Sequence, residues 1–331
     1  MQAPAEYFVF NKNEKPLLYR AKQIGSKAKA LLAQCGFSGK VLAALSTTIY
    51  FASRDGEILW LSQEALAMHR RCILASSRPR SICRPGQTFW VDGPFLRISD
   101  QVILDLDSAT EWRPPAVGPE CAKPLHILQA CTRRLLEAVI MVGNAKGLGQ
   151  MIPFISSLVD GNKQAISATD SLLAKAQDSI LDLATACLDF DMTEVARRGR
   201  ELVGLGPGLT PSGDDFLGGL LFTAHSLKTA YPQDVNWEEE PVMDLVHWAS
   251  TQTHPISHAI LRDHASGHGP KPLHDVVASL LNGQDLSHNL SHTMGAAERL
   301  LGIGETSGWD ILAGMLTGML LVEGKLNALP T

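Results

Sequence analysis

Apolar residues in the first third of the chain gather in short runs rich in β-branched and aromatic side chains. The runs are Tyr7–Phe10, Val41–Leu45, Thr47–Ala52, Ile58–Leu61, Thr88–Val91, Phe95–Ile98 and Val102–Leu106. Turns such as Arg54-Asp55-Gly56 and Asp92-Gly93-Pro94 separate them, which predicts a compact, mostly antiparallel β domain. Pro114, Pro115 and Pro119 then remove backbone donors and fix φ, breaking the pattern. Beyond them the apolar spacing changes to three and four residues, the signature of amphipathic helices. It predicts helices at Leu125–Val142, Ser171–Asp189, Thr193–Leu202, Asp215–Lys228, Val242–Thr253, Ile256–Asp263, Leu273–Leu281, Met294–Leu301 and Ile311–Leu326. The expected class is α+β, with a β-rich domain over residues 1–115 and a larger all-helical domain over 116–331.

Composition narrows the field of functions. With 331 residues, 45% apolar and 19% charged, the chain can bury a large core. A net charge of -5 supplies no excess of cations for a nucleic-acid backbone, so no nucleic-acid partner is expected. The strongly apolar run Ile311–Val322 is interrupted by Gly314 and Gly318 and falls short of the roughly 20 residues that cross a bilayer. It reads as a buried helix. Met1–Arg20 carries Glu6, Asn11, Asn13 and Glu14 and has no continuous apolar stretch of the kind that marks a signal peptide, so a cytoplasmic protein is expected. Six scattered cysteines without a C-x-x-C pair fit reduced thiols.

Chemistry concentrates in the helical part, which holds the long glycine-rich turns and every histidine except His69. Gly204-Leu205-Gly206-Pro207-Gly208-Leu209-Thr210-Pro211-Ser212-Gly213-Asp214-Asp215 follows one helix and opens another. Glycines let backbone approach a ligand, and a helix start presents free N–H groups, so the turn is a candidate seat for phosphate or carboxylate. It is neither a strand-borne G-x-G-x-x-G nor a G-K-[ST] loop, which argues against NAD or ATP. Gly143-Asn144-Ala145-Lys146-Gly147-Leu148-Gly149 is a second glycine-rich stretch with even claims to be a ligand loop or a connection.

The unit Ser212-Gly213-x-Asp215-x-Leu217-x-Gly219 recurs as Ser307-Gly308-x-Asp310-x-Leu312-x-Gly314, with Thr210 and Thr306 just upstream. The candidate catalytic residues are therefore Asp214, Asp215 and Asp310. The candidate anion-binding residues are Gly204, Gly206, Gly208, Thr210, Ser212, Gly213, Thr306, Ser307 and Gly308. The three carboxylates are also candidate Mg²⁺ ligands, or one of them is a general base raised by its neighbours. A plainer account exists: a serine at the N-cap with an acid three residues on is a capping box, and close helix packing would explain Gly218, Gly219 and Gly314. A shared site requires Ser212 and Ser307 to cap two converging helices, with Asp215 and Asp310 within about 10 Å, the span of a hydrated cation or small anion.

Other clusters carry less. The pairs His254/His258, His264/His268 and His288/His292 have i, i+4 spacing, but Pro255 and Gly267 interrupt two of them and no H-E-x-x-H is present. Arg70, Arg71, Arg78, Arg80 and Arg84 read as solvated charge that could also guide an anion or dock a partner. No Gly-x-Ser-x-Gly elbow supports a serine hydrolase.

With GLGPGLTPSGDDFLGG (204–219) and GETSGWDILAG (304–314), the chain resembles a bacterial family long labelled as carboxylases, whose members include AllH, a subunit associated with oxamate carbamoyltransferase in allantoin catabolism. The β-rich first part and Thr253/Ser257 before a helix add to the likeness. The resemblance implies a cytoplasmic carbamoyl-transfer subunit that works with FdrA-like and AllG-like partners on small anions such as carbamoyl phosphate or oxamate. Two alternatives stay open: a non-catalytic subunit that binds a small acid and completes a partner's site, and a Mg²⁺-dependent hydrolase.

Overall fold

The computed structural model describes residues 16–63, 65, 68–76, 83–159, 171–282 and 286–327. The strand expected at Tyr7–Phe10 and the arginines Arg78 and Arg80 lie outside them. The fold is α+β, an N-terminal sheet followed by a helical region. By internal contacts the chain divides into residues 1–65 with 71–112, and residues 66–70 with 113–331.

In the first unit the strands are β1 (Leu17–Gly25), β2 (Ser38–Ala44), β3 (Thr48–Ser53), β4 (Ile58–Ser62), β5 (Cys72–Ala75), β6 (Thr88–Asp92), β7 (Phe95–Ile98), β8 (Val102–Asp105) and β9 (Thr110–Trp112), with helix α1 (Ser26–Leu32) after β1. They run in the order β5-β4-β3-β2-β6-β7-β8-β1-β9, and a further β5–β1 pairing closes eight of them into a barrel. Closure removes the exposed edges that an open sheet would present. It depends on β1, which is long enough to pair parallel with β8 through Leu17–Arg20, antiparallel with β5 across a bulge between Ala21 and Gln23, and parallel with β9 from Gln23 on. Six of the nine pairings are antiparallel. Ile49, Phe51, Leu59, Leu61, Ile73, Phe89 and Leu96 fill the interior. Arg71 corrects the reading of solvated charge: it is fully buried, with Nη1 2.8 Å from Glu57 Oε2 and 3.0 Å from the carbonyl of Ile58. Burial pushes the Glu57 carboxyl up, but its bonds to Arg71 and Lys27 outweigh that and hold it below its ordinary value.

The helices of the second unit are α2 (Leu125–Val142), α3 (Ile152–Val159), α4 (Ser171–Leu188), α5 (Met192–Gly199), α6 (Ser212–Ala230), α7 (Glu240–Ala249), α8 (Pro255–Ala265), α9 (Lys271–Leu281), α10 (Leu286–Leu301), α11 (Ser307–Gly318) and α12 (Leu320–Asn327). The single helix expected over Ile311–Leu326 is thus two, breaking at Met319. α6 and α11 are buried almost all round, as helices at the centre of a domain are. They run in the same direction with backbones in contact. A Cβ on Gly219 would lie 2.1 Å from the carbonyl oxygen of Ile311, and one on Gly314 would lie 1.8 Å from that of Phe216. The two contacts are related by the sequence repeat, since Phe216 and Ile311 occupy equivalent positions, as do Gly219 and Gly314. Close packing therefore accounts for Gly219 and Gly314 in the helix interiors. Among the described residues no single helix is long and apolar enough to cross a membrane; one bent pair, Leu125–Val142 with Gly147–Leu158, meets length and composition criteria.

Candidate functional site

The parallel arrangement brings the starts of α6 and α11 together, and each start is built the same way. After α5 the Leu205 N–H donates to the Leu202 carbonyl (3.0 Å), and the Gly213 N–H donates to that of Leu205 (2.9 Å). After α10 the Ile303 N–H donates to Leu300 (3.0 Å), and the Gly308 N–H to Ile303 (3.0 Å). Gly206 and Gly304, both at positive φ, lie over Ser212 and Ser307 respectively, where a side chain would crowd the serine. The sequence repeat is thus a structural repeat, with three extra residues in the first turn.

The serines do not cap. Pro211 and Thr306 stand at the N-cap positions, neither helix has a side-chain cap bond, and Ser212 and Ser307 are the first helical residues. Their hydroxyls reach across instead: Ser307 donates to Asp215, and Ser212 donates to Asp310. Each aspartate also accepts from a threonine of its own copy, Thr210 to Asp215 and Thr306 to Asp310. Thr210 Oγ1 and Ser307 Oγ are 3.4 Å apart. The exchange is reciprocal, so Asp215 and Asp310 share one site. Asp310 Oδ1 further accepts the Leu148 N–H at 2.6 Å, and a Cβ on Gly147 would lie 2.4 Å from the same oxygen. The stretch Gly143–Gly149 is therefore a third wall of this site, a role its sequence had left open.

Burial dominates the electrostatics. Asp215 is 5% exposed and Asp310 is 0% exposed, and Oδ2 of each has no hydrogen-bond partner. Burial pushes the Asp310 carboxyl up to about 6, against the pull of the Leu148, Ser212 and Thr306 bonds. Burial pushes Asp215 well above its ordinary value; Ser307 and Thr210 oppose the rise, and the charges of Asp310 and Asp214 add to it. The two helix starts contribute positive potential, which favours negative charge here.

Asp214 faces another way. Its Oδ1 accepts the Gly204 N–H (2.7 Å), and its Oδ2 accepts the hydroxyls of Ser257 (2.6 Å) and Thr253. It ties the glycine-rich turn to the start of α8. The three aspartates do not form a cation cage: among the described residues no group of three or more His, Cys, Asp or Glu is arranged to hold a metal ion. Both Asp214 oxygens are held by donors, so this geometry lends no support to Mg²⁺ on all three.

The expected anion seat is divided in the same manner. Gly204, Gly213 and Gly308 give their N–H groups to Asp214, Leu205 and Ile303. Gly208, at φ 96°, is exposed with open space around it, and Thr210, Thr306 and Ser307 are half-buried between the turns and the acid pair. A cavity lined by Gln129, Thr132, Arg133, Ile155, Leu316 and Glu323 involves none of these residues.

The first histidine pair is used structurally. His254 Nδ1 accepts the Ile256 N–H at the start of α8, and His258 Nε2 is 3.1 Å from the Val246 carbonyl. His264 is fully buried against Gly218, and burial pushes its imidazole down to about 3.

The helices that carry the repeat, and the turns that lead into them, are also where a known family is matched. Residues 202–319 match the family model of the oxamate carbamoyltransferase subunit AllH. This segment is AllH-like. It runs from the Leu202 carbonyl that anchors the first turn to Met319 at the end of α11, so it contains both members of the acid pair and the Thr253/Ser257 latch on Asp214. The AllH-like segment leaves out Gly147 and Leu148, which complete the site from outside it. No solved structure matches the chain.

Proposed function

We propose that this chain is a carbamoyl-transfer subunit that seats phosphate, carbamoyl phosphate or a small carboxylic acid where α6 and α11 begin. The observation that carries the reading is the reciprocal exchange of serine and aspartate between two helix starts inside the AllH-like segment. Two helix N-termini suit an oxyanion, and the four hydroxyls, which donate to the acid pair, border its seat. Paired carboxylates would repel one, but burial raises the pKa values of both, which favours their neutral forms and weakens that repulsion. Thr210 and Ser307 then contact the ligand, Gly206 and Gly208 let the turn close over it, and Asp214 positions the turn. A cytoplasmic setting and FdrA-like and AllG-like partner subunits belong to the same proposal.

Thermal unfolding with and without ligand tests it. Phosphate, carbamoyl phosphate or oxamate raises the Tm of the wild type, and Asp215→Ala and Ser307→Ala each abolish the rise while remaining folded. A wild type unmoved by all three ligands, or variants that keep the full rise, would refute the site. A second reading is favoured by the burial of Asp215 and Asp310: the chain binds the acid and a partner supplies the reacting groups. Turnover by the purified chain alone decides against that version.

A further inference from the structure

We propose that Cys131 and Lys123 form a peroxide-responsive modification site, at which the oxidised sulfur of Cys131 becomes joined to the side-chain nitrogen of Lys123. An α-helix leaves its last carbonyls without partners of its own. At the end of α9 the Ala278 carbonyl accepts the Asn282 N–H (2.8 Å), and Lys123 serves the next three. Its backbone N–H donates to Leu281 (2.9 Å), and its Nζ donates to Ser279 (3.1 Å) and Leu280 (2.9 Å). Its own carbonyl accepts the Tyr231 hydroxyl at 2.6 Å, so the buried residue is held at both main-chain groups. An ammonium has three donors, and with two fixed on carbonyls the third reaches Cys131 Sγ, 4.0 Å away.

Cys131, on α2, is half-buried, so a small oxidant can reach its sulfur. Lys123, Cys131, Arg134, Leu280, Leu290 and Thr293 line a cavity with room for a molecule little larger than water, the size of hydrogen peroxide. Cys187, by contrast, is fully buried, and burial pushes its thiol up to about 12, out of reach of this chemistry. Burial pushes the Lys123 ammonium below its ordinary value, while the charge of the Cys131 thiolate pulls the other way. That balance sets the order of events. The thiolate attacks peroxide: an S–O bond forms, the O–O bond breaks, and the hydroxide that leaves takes a proton from the Lys123 ammonium to become water. The sulfenic acid is uncharged, so nothing on the sulfur now favours the ammonium, and burial keeps Lys123 as the amine. The nitrogen then attacks the sulfur; an S–N bond forms, the S–O bond breaks, and a proton from nitrogen leaves with the oxygen as a second water. One thiol, one amine and one peroxide thus give a sulfenamide and two waters. The linked nitrogen has lost its charge and keeps a single N–H for two carbonyls, so the end of α9 loosens as the link forms.

Peptide mapping by mass spectrometry of the full chain, treated with hydrogen peroxide and digested, tests this. The wild type should give a peptide containing Lys123 and Cys131 that is two hydrogens lighter, without backbone fragments between the two residues, and a thiol reductant should restore its mass. A disulfide between Cys121 and Cys131 would remove the same two hydrogens, so Cys121→Ser is mapped in parallel and should keep the link. Cys131→Ser and Lys123→Arg should lack it, and Cys131→Ser leaves the α9 contacts of Lys123 in place should the arginine variant fail to fold. A link that vanishes in Cys121→Ser, one that persists in Lys123→Arg, or a wild-type Cys131 recovered only as free thiol or sulfinic acid would overturn the proposal. Hydrogen exchange at the Leu281 and Asn282 amides should be faster in the linked than in the reduced protein, and equal exchange would overturn the loosening of α9.

Discussion

Asp310→Asn isolates the consequence of burying the acid pair. The ordinary carboxyl value of 3.8 and the folded value of about 6 differ by an amount that, at 1.36 kcal/mol per pH unit, is about 3 kcal/mol. Because the folded value is the higher one, the folded state holds the proton more tightly. Ionisation therefore costs stability, and the cost is absent well below pH 3.8 and complete above about pH 6. Asparagine is nearly isosteric, carries no charge, and its carbonyl can still accept the Leu148 N–H now held at 2.6 Å. Relative to the wild type, the variant gains about 0.5 kcal/mol at pH 4 and about 3 kcal/mol at pH 8. Urea unfolding of both proteins at several pH values, read by circular dichroism, gives the difference directly. A difference that stays flat from pH 4 to pH 8 would falsify the claim that burial holds this carboxyl above its ordinary range. A variant less stable at pH 8 than at pH 4, relative to the wild type, would show that the site stabilises the ionised form.

Gly314→Ala places a methyl 1.8 Å from the Phe216 carbonyl, so the backbones of α6 and α11 must part; a loss of roughly 3 kcal/mol is expected, with a similar loss for Gly219→Ala, and denaturant unfolding that shows either near-neutral would contradict the contact. Asp214→Ala strands the Gly204 N–H and the hydroxyls of Thr253 and Ser257, at roughly 2 to 4 kcal/mol; hydrogen exchange at the Gly204 amide should accelerate ahead of the α6 core, and unchanged protection there would show that the latch does not hold the turn.

Strands made of clustered apolar side chains were legible, as β2 to β4 and β6 to β8 show. β1 was not, because Leu17–Arg20 is largely exposed and is held by non-local parallel pairing with β8, which leaves no periodic mark. β9 is three residues long, too short for any pattern, and β5, as short as β7 and β8, lies directly after Arg70 and Arg71 with no turn signal to mark its start. In the site, the repeat was legible because the same residue types recur at fixed offsets, and it led to Asp215 and Asp310. The use of its serines was not: Pro211 occupies the N-cap position that Ser212 was expected to fill, and which hydroxyl bonds which acid depends on how two helices pack. Leu148 was beyond reach for a different reason, since it contributes through its backbone N–H, a group every residue but proline has.

The crossed bonds between Ser212 and Asp310, and between Ser307 and Asp215, resemble the isologous contact of a two-fold dimer, here contained in one polypeptide. Neither half can build its acid centre alone, so a lesion in one copy is felt in the other. In a true dimer any substitution appears twice. A single chain escapes that constraint, and the three extra residues between Leu205 and Gly213, compared with Ile303 and Gly308, are an asymmetry that identical subunits could not have acquired. The fused arrangement thus lets one turn diverge in length while the other keeps the scaffold in register.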